Sequence, residues 1–282
     1  MKLGELEVRS VSGGRFRLDG GGMFGVVPKS LWERKCPCDD RNRVLLDANC
    51  LLVKTGTSLL LIDSGYGSKA IPRQREYCAM QDGGPLIENL ARTGVHPDDI
   101  SAVILTHLHF DHVGGCTFRD DSGRLRPVFR RARHFIQRAE WEDATGGAAE
   151  LAGSYFPEDF LPLWEAGLVE LVEGEAEILP GITARLAGGH TSGHQIVSLE
   201  SGSSSGVYLS EFCPLVAHLL PRWTMSYDRF PLTVRKLKLA LLSEIARKGS
   251  VMFFNHDPAV KAATVRQSEE GSFVILQQYD ME

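Results

Sequence analysis

The chain has 282 residues, 43% apolar and 24% charged, with a net charge of −5. That balance is ordinary for a globular enzyme. It provides no basic face for nucleic acid, and no apolar run approaches the roughly 20 residues that span a bilayer. The opening Met-Lys-Leu-Gly-Glu-Leu-Glu-Val places acids where a secretion signal needs an apolar core, so a cytoplasmic protein is expected. The six scattered cysteines, Cys36, Cys38, Cys50, Cys78, Cys116 and Cys213, are then expected to be free thiols. Cys36-Pro-Cys38 lacks the two-residue spacer of zinc knuckles and redox motifs.

Leu3 to Ser10 and Arg15 to Leu18 alternate polar and apolar residues around Gly13-Gly14, which predicts a hairpin. The glycine-rich stretch Gly20 to Pro28 reads as a loop. Lys29 to Arg43 is charged and irregular, with Trp32 as its one large anchor, and reads either as a lid over a site or as plain surface chain. Asn49 to Lys54 and Ser58 to Asp63 are apolar strands around the turn Thr55-Gly56-Thr57. Leu86, Ile87, Leu90 and Ala91 space the apolar face of a helix over Pro85 to Thr93, stopped by Gly94.

Ser101 to Thr106 is a short apolar run that reads as a buried strand. It ends in four metal-capable side chains within six residues: His107, His109, Asp111 and His112. Imidazole and carboxylate are the ligands that zinc, iron and manganese take. Packed together without a cation, these groups would strand polar atoms. His107 and His109 point the same way in an extended segment, whereas the adjacent Asp111 and His112 can face different directions, a pattern that suits two ions better than one. Gly114 and Gly115 allow a tight turn beside them.

His-x-His-x-Asp-His after an apolar strand resembles the metallo-β-lactamase superfamily of dinuclear metallohydrolases. The resemblance covers most of the chain. It implies two divalent ions, zinc first, with iron or manganese as alternatives. It also gives a role to Asp63 in Ile62-Asp63-Ser64-Gly65, which matches the family's acid that supports the metal loop from behind. An Asp accepting turn hydrogen bonds fits that position equally well.

Farther along, a short strand pair is expected near Pro127 to Phe129 and His134 to Ile136, with His134 structural, followed by a helix containing Trp141. Gly146 to Gly167 gathers Tyr155, Phe156, Phe160, Leu163 and Trp164, either as pocket lining or as a satellite apolar cluster, the latter preferred. Strands follow at Val169 to Glu173, Ala176 to Leu179 and Thr183 to Leu186. They lead to Gly189-His190-Thr191-Ser192-Gly193-His194, which resembles the family's second motif. The resemblance makes His190 a ligand and His194 a hydrogen-bonding support.

Where the family usually reads Gly-Asp, with the Asp bridging both ions, this chain has Ser210-Glu211. Glu211 is expected to contact at least one ion, since zinc accepts either carboxylate; whether it bridges is left open. Phe230 to Lys248 predicts a long helix with Val234, Leu237, Leu241 and Ile245 inward. Val251 to Phe254 is a strand ending in Asn255-His256-Asp257-Pro258, and His256 fits the family's last ligand. Phe273 to Gln277 is a final strand.

The strand-rich halves before and after about Gly174 suit two sheets face to face. The expected fold is α/β, a four-layer αβ/βα sandwich of two mixed β-sheets with helices outside, in one domain over 1–282. The implied ligand set is His107, His109 and His190 for one ion, and Asp111, His112 and His256 for the other, with Glu211 between. Asp111 is the implied catalytic proton carrier.

The spellings His-Phe-Asp-His-Val-Gly-Gly and Gly-His-Thr-x-Gly-His-Gln are most similar to the branch containing N-acyl-homoserine lactonases. A metal-dependent hydrolase of a small lactone or related ester is therefore expected. An organophosphate or aryl-ester hydrolase, a di-iron oxidoreductase and a metal binder without turnover are the alternatives. The tyrosine that those lactonases often carry after the bridging acid is Pro214 here, leaving Tyr155 or Tyr227 as substitutes. The loop from Pro221 to Asp228 reads as an interface, a pocket wall or neither. No nucleic-acid or membrane partner is expected, and a homodimer is open.

Overall fold

Leu51, Val53, Leu60 and Ile62 turn one way from neighbouring strands, while Leu52 and Leu61 turn the other. This period of two, with both faces apolar, marks strands covered on both sides. The computed structural model, which describes residues 1–151 and 153–281, places them in the middle of a seven-stranded mixed sheet.

That first sheet runs Lys2–Leu3, Leu6–Asp19, Arg43–Thr55, Ser58–Ile62, Ile100–Ile104, Arg133–Gln137 and Val169–Val172, in spatial as in chain order. The second runs Glu175–Leu179, Ile182–Leu186, Gln195–Ser201, Ser204–Tyr208, Val251–Phe253, Ala262–Gln267 and Phe273–Tyr279, again in chain order. The boundary between the halves falls at Gly174, as expected.

The sheets face each other across a core in which Val8, Val53, Leu60 and Ile104 meet Ile182, Val197, Tyr208 and Phe253. On the outer face of the first sheet, Leu86, Leu90, Trp141, Phe160 and Leu163 bring down the helices Pro85–Arg92, Arg138–Thr145 and Pro157–Glu165. On the outer face of the second, Val234, Leu242 and Ile245 seat the helix Pro231–Lys248. The result is the expected four-layer sandwich. Among the described residues no helix is long and apolar enough to cross a membrane.

Several local expectations are corrected. The hairpin is instead one strand, Leu6–Asp19, paired along Arg43–Thr55 with a register shift between Ser12 and Arg15. Gly13-Gly14 makes a bulge rather than a turn. The Tyr66 ring occupies the space where a Gly14 Cβ would point, and Gly14 has φ +117°. Gly20–Phe24 is a short helix, capped by the Asp19 carboxylate accepting from the Gly22 N–H.

Lys29 to Arg43 is not a lid: Trp32 is buried against Phe24, and the segment does not line the cleft described below. Leu125–Pro127 pairs with Thr117–Arg119 in a separate two-stranded sheet, so it is no partner of Arg133–Gln137. Val169–Val172 belongs to the first sheet, parallel to Arg133–Gln137. On the long helix, Lys238 and Leu242 are buried where Leu237 and Leu241 are only partly covered. All six cysteines are free.

Candidate metal centre

Four strands end at the same rim of the sandwich. Ile100–Ile104 leads into His107 to His112, Ile182–Leu186 into His190, Ser204–Tyr208 into Glu211, and Val251–Phe253 into His256. All seven side chains expected to ligate metal meet there.

His107, His109 and His190 form one group. His107 Nε2 and His190 Nε2 each lie 3.1 Å from His109 Nδ1. Asp111, His112 and His256 form the second. In it, His256 Nε2 is 3.4 Å from Asp111 Oδ2, and His112 Nε2 is 3.9 Å from Asp111 Oδ1. Glu211 Oε1 sits 3.2 Å from His112 Nε2 and 2.9 Å from His256 Nε2, and accepts from Asn255 Nδ2 at 2.5 Å. The longer acid therefore reaches the second group.

The backbone is shaped for this approach. Ser210, at the position where the resemblance implies glycine, takes φ +49° and places its Oγ 3.0 Å from Thr106 Oγ1. Gly114 and Gly115 serve close contact rather than turn geometry: a Cβ on Gly115 would lie 2.0 Å from Ser64 O, and one on Gly114 2.6 Å from Tyr66 O.

Behind the centre, the far nitrogens are held. His112 Nδ1 bonds Asp63 Oδ2 at 2.8 Å, His190 Nδ1 bonds Asp228 Oδ1 at 2.9 Å, His256 Nδ1 meets Asp47 O at 3.1 Å, and His107 Nδ1 meets Thr106 Oγ1 at 3.1 Å. Such outer partners fix tautomer and ring orientation. The supporting reading of Asp63 holds, and among the described residues its side-chain hydrogen bonds run to the metal loop rather than within its own turn. Its carboxylate also accepts from Thr106 N and Oγ1, and its own backbone is left-handed at φ +59°.

Burial and the neighbouring imidazoles push the His107 and His109 pKa values well down. Burial also opposes charge on His112, but Asp63 and Asp111 outweigh it and raise that pKa. The Glu211 carboxyl is likewise buried, yet His256 and His112 hold it well below the usual range.

The arrangement fits a metal on its own chemistry. Three imidazole nitrogens converge, two of them 3.1 Å from the third, a spacing that accommodates a cation with bonds of about 2.0–2.1 Å. Without one, their lone pairs would face one another in a buried space.

Three supports were not legible in sequence. Asp228, Asn255 and Glu140 carry no motif of their own, and Asp228 reaches His190 across 38 residues. The Pro221 to Asp228 loop is a cleft wall as well as this support. His194 is fully buried, but neither ring nitrogen has a hydrogen-bond partner among the described residues, so its expected role as a hydrogen-bonding support is corrected. Its ring packs 5.4 Å from that of His107 and 5.3 Å from Phe212.

Residues 43–256 match the family model of the metallo-beta-lactamase superfamily. The chain belongs to that superfamily. As a metallo-β-lactamase superfamily member it is a metal-dependent hydrolase, and its relatives are consistent with this. An N-acyl homoserine lactonase of Bacillus cereus is 27% identical over 232 residues, covering 77% of this chain and 83% of that one. A probable metal-dependent hydrolase from Staphylococcus aureus superposes with a TM-score of 0.88 at 29% identity, over 99% of this chain and 100% of the other. AidC, a dizinc quorum-quenching lactonase solved with a product, N-hexanoyl-L-homoserine, shares the fold with a TM-score of 0.79 at 23% identity, over 100% and 97%.

Proposed function

We propose that the protein hydrolyses a lactone or closely related ester, with an N-acyl-homoserine lactone as the leading substrate class, on two divalent ions, most simply zinc. The observation that carries this reading is the cleft above the two ligand groups. It has a volume of about 520 Å³ and is floored by His107, His109, Asp111, His112, His190, Glu211 and His256. Leu18, Met23, Phe110 and Leu151 give it an apolar wall, and Tyr227 and Arg229 a polar one. A polar ring over the floor with an acyl tail along the wall satisfies both surfaces. The lactonase relatives lend the same support.

His107, His109 and His190 would hold one ion, and Asp111, His112, His256 and Glu211 the other. Bound there, the ions would supply Lewis acidity toward the carbonyl and a water of lowered pKa. The protein's own part is proton handling and alignment. Asp111, nearly buried at the cleft floor, takes the proton released as water adds to the acyl carbon. It returns that proton to the ring oxygen as the acyl carbon–oxygen bond breaks, leaving a hydroxy acid.

Of the two tyrosines, Tyr227 is the better substrate contact. The Tyr155 ring lies tilted 5.6 Å from that of His109, and its backbone bridges to His109, so it forms the wall. Burial, then Glu140 and Asp143, raise its hydroxyl pKa. Tyr227 is partly exposed at the cleft. Burial, and after it the charges of Asp19 and Asp111, keep its phenol protonated as a donor.

The test is elemental analysis of the purified protein, followed by a panel of lactones, aryl esters and phosphotriesters. Two ions per chain with lactone opening, detected as acid release and abolished by a chelator, is the expected result. A fully loaded protein that leaves lactones intact, or prefers phosphotriesters, overturns the reading.

A further inference from the structure

Glu140 is completely buried near the start of the helix Arg138–Thr145. Isolated carboxylates are rarely placed so, because losing water costs several kcal/mol without compensation. Its two oxygens are divided between two loops. Oε1 accepts the Leu108 N–H at 2.9 Å, and Oε2 accepts the Thr191 hydroxyl at 2.5 Å.

Leu108 lies between His107 and His109, and Thr191 follows His190. The three residues of the all-histidine group are therefore flanked by the two donors that one carboxylate engages. Gly193 completes the contact: a Cβ there would lie 2.1 Å from the Glu140 backbone nitrogen, so the second loop closes directly onto the helix. One turn earlier, Gln137 Nε2 donates to Gln195 Oε1, and Gln195 Nε2 donates to Leu105 O, a second tie across the same seam.

We propose that Glu140 is a positioning residue for the three-histidine group: it brackets the His107–His109 loop to the His190 loop and sets the distance between their imidazoles. This rests on the reading of that group as a metal site. The second group contains Asp111 and contacts Glu211, and does not depend on Glu140.

The experiment is titration of metal-stripped full-length protein with zinc alone, in competition with a chromophoric chelator, alongside thermal unfolding. Wild type is expected to take two equivalents. Glu140→Ala is expected to weaken one of them by about 10- to 100-fold and leave the other unchanged. Glu140→Gln still offers an acceptor to Leu108 and should stay much closer to wild type. Thr191→Val removes one hydroxyl and should weaken the same equivalent by a smaller factor.

A Glu140→Ala protein that melts earlier yet holds both equivalents with wild-type affinity overturns the bracket and leaves Glu140 a packing residue. If Glu140→Ala does not fold, wild-type zinc curves for Thr191→Val have the same consequence. A wild-type chain that takes up no zinc overturns the metal reading itself, and the bracket with it.

Discussion

Asp228 Oδ1 lies 2.9 Å from His190 Nδ1 while Asp228 Oδ2 accepts the Met225 N–H, so one side chain fixes both an imidazole and the loop that walls the cleft. Asp228→Ala frees both. Zinc affinity at the three-histidine group should fall by about 10- to 100-fold, and turnover with it. Competition titration and lactone kinetics at saturating zinc check this. Unchanged affinity would mean that His190 is oriented by something else.

Glu211 reaches His112 and His256 through one oxygen that Asn255 also holds. Glu211→Asp withdraws that oxygen by about one methylene. We expect the variant to keep one ion tightly and lose the other on dialysis, with activity recovering only in excess metal. Elemental analysis before and after dialysis reads the result. Two retained ions would show that the loop moves inward to compensate.

Gly22 lies under Tyr227: a Cβ there would fall 2.1 Å from the Tyr227 hydroxyl. Gly22→Ala should push that ring aside. Tyr227→Phe removes only the hydroxyl. Both should lower kcat/KM for lactones by about 10-fold, the size of one hydrogen bond of about 1.4 kcal/mol, and leave zinc stoichiometry at wild type. Kinetics of the two variants side by side decide the matter. A normal Tyr227→Phe enzyme removes Tyr227 from substrate binding.

His134 offers a pH prediction independent of the metal centre. Burial lowers its pKa from the usual 6.5 to about 4. As pH falls through 6.5 the unfolded chain takes up this proton and the folded chain does not. Stability from this group is thus complete above 6.5 and is lost between 6.5 and 4, by about 3 kcal/mol in all. His134→Leu should unfold with a shallower acid dependence over that window, whatever its stability at pH 7. Urea unfolding at several pH values compares the slopes; parallel curves would show that His134 titrates normally.

The ligand-bearing motifs were legible because coordination packs its demands into short spacings. His107, His109, Asp111 and His112 sit within six residues, and His190 and His256 each end an apolar strand. What sequence hid was contact made at a distance. Gly13-Gly14 has the spelling of a turn, and only the Tyr66 ring against it makes it a bulge. Val169–Val172 reads like a neighbour of the strands that follow it, but its partner is Arg133–Gln137, before two intervening helices. Lys238 lies outside the apolar stripe expected for its helix, yet it is buried. Its ammonium donates to the carbonyls of Trp223 and His218, which no helical period reveals. Glu140 and Asp228 belong to the same class, acids whose purpose lies in another segment.

The division of the two sheets at Gly174 has a consequence for biosynthesis. A ribosome releases the entire first sheet, with His107, His109, Asp111 and His112 already at its rim, before any strand of the second exists. The nascent half then carries a bare apolar face and an unfinished set of ligands. His190, Glu211 and His256 all follow Gly174, so neither ligand group is complete until the second sheet has been made. Metal loading is therefore expected to follow the pairing of the two sheets, and the half-made chain to be exposed to aggregation until then.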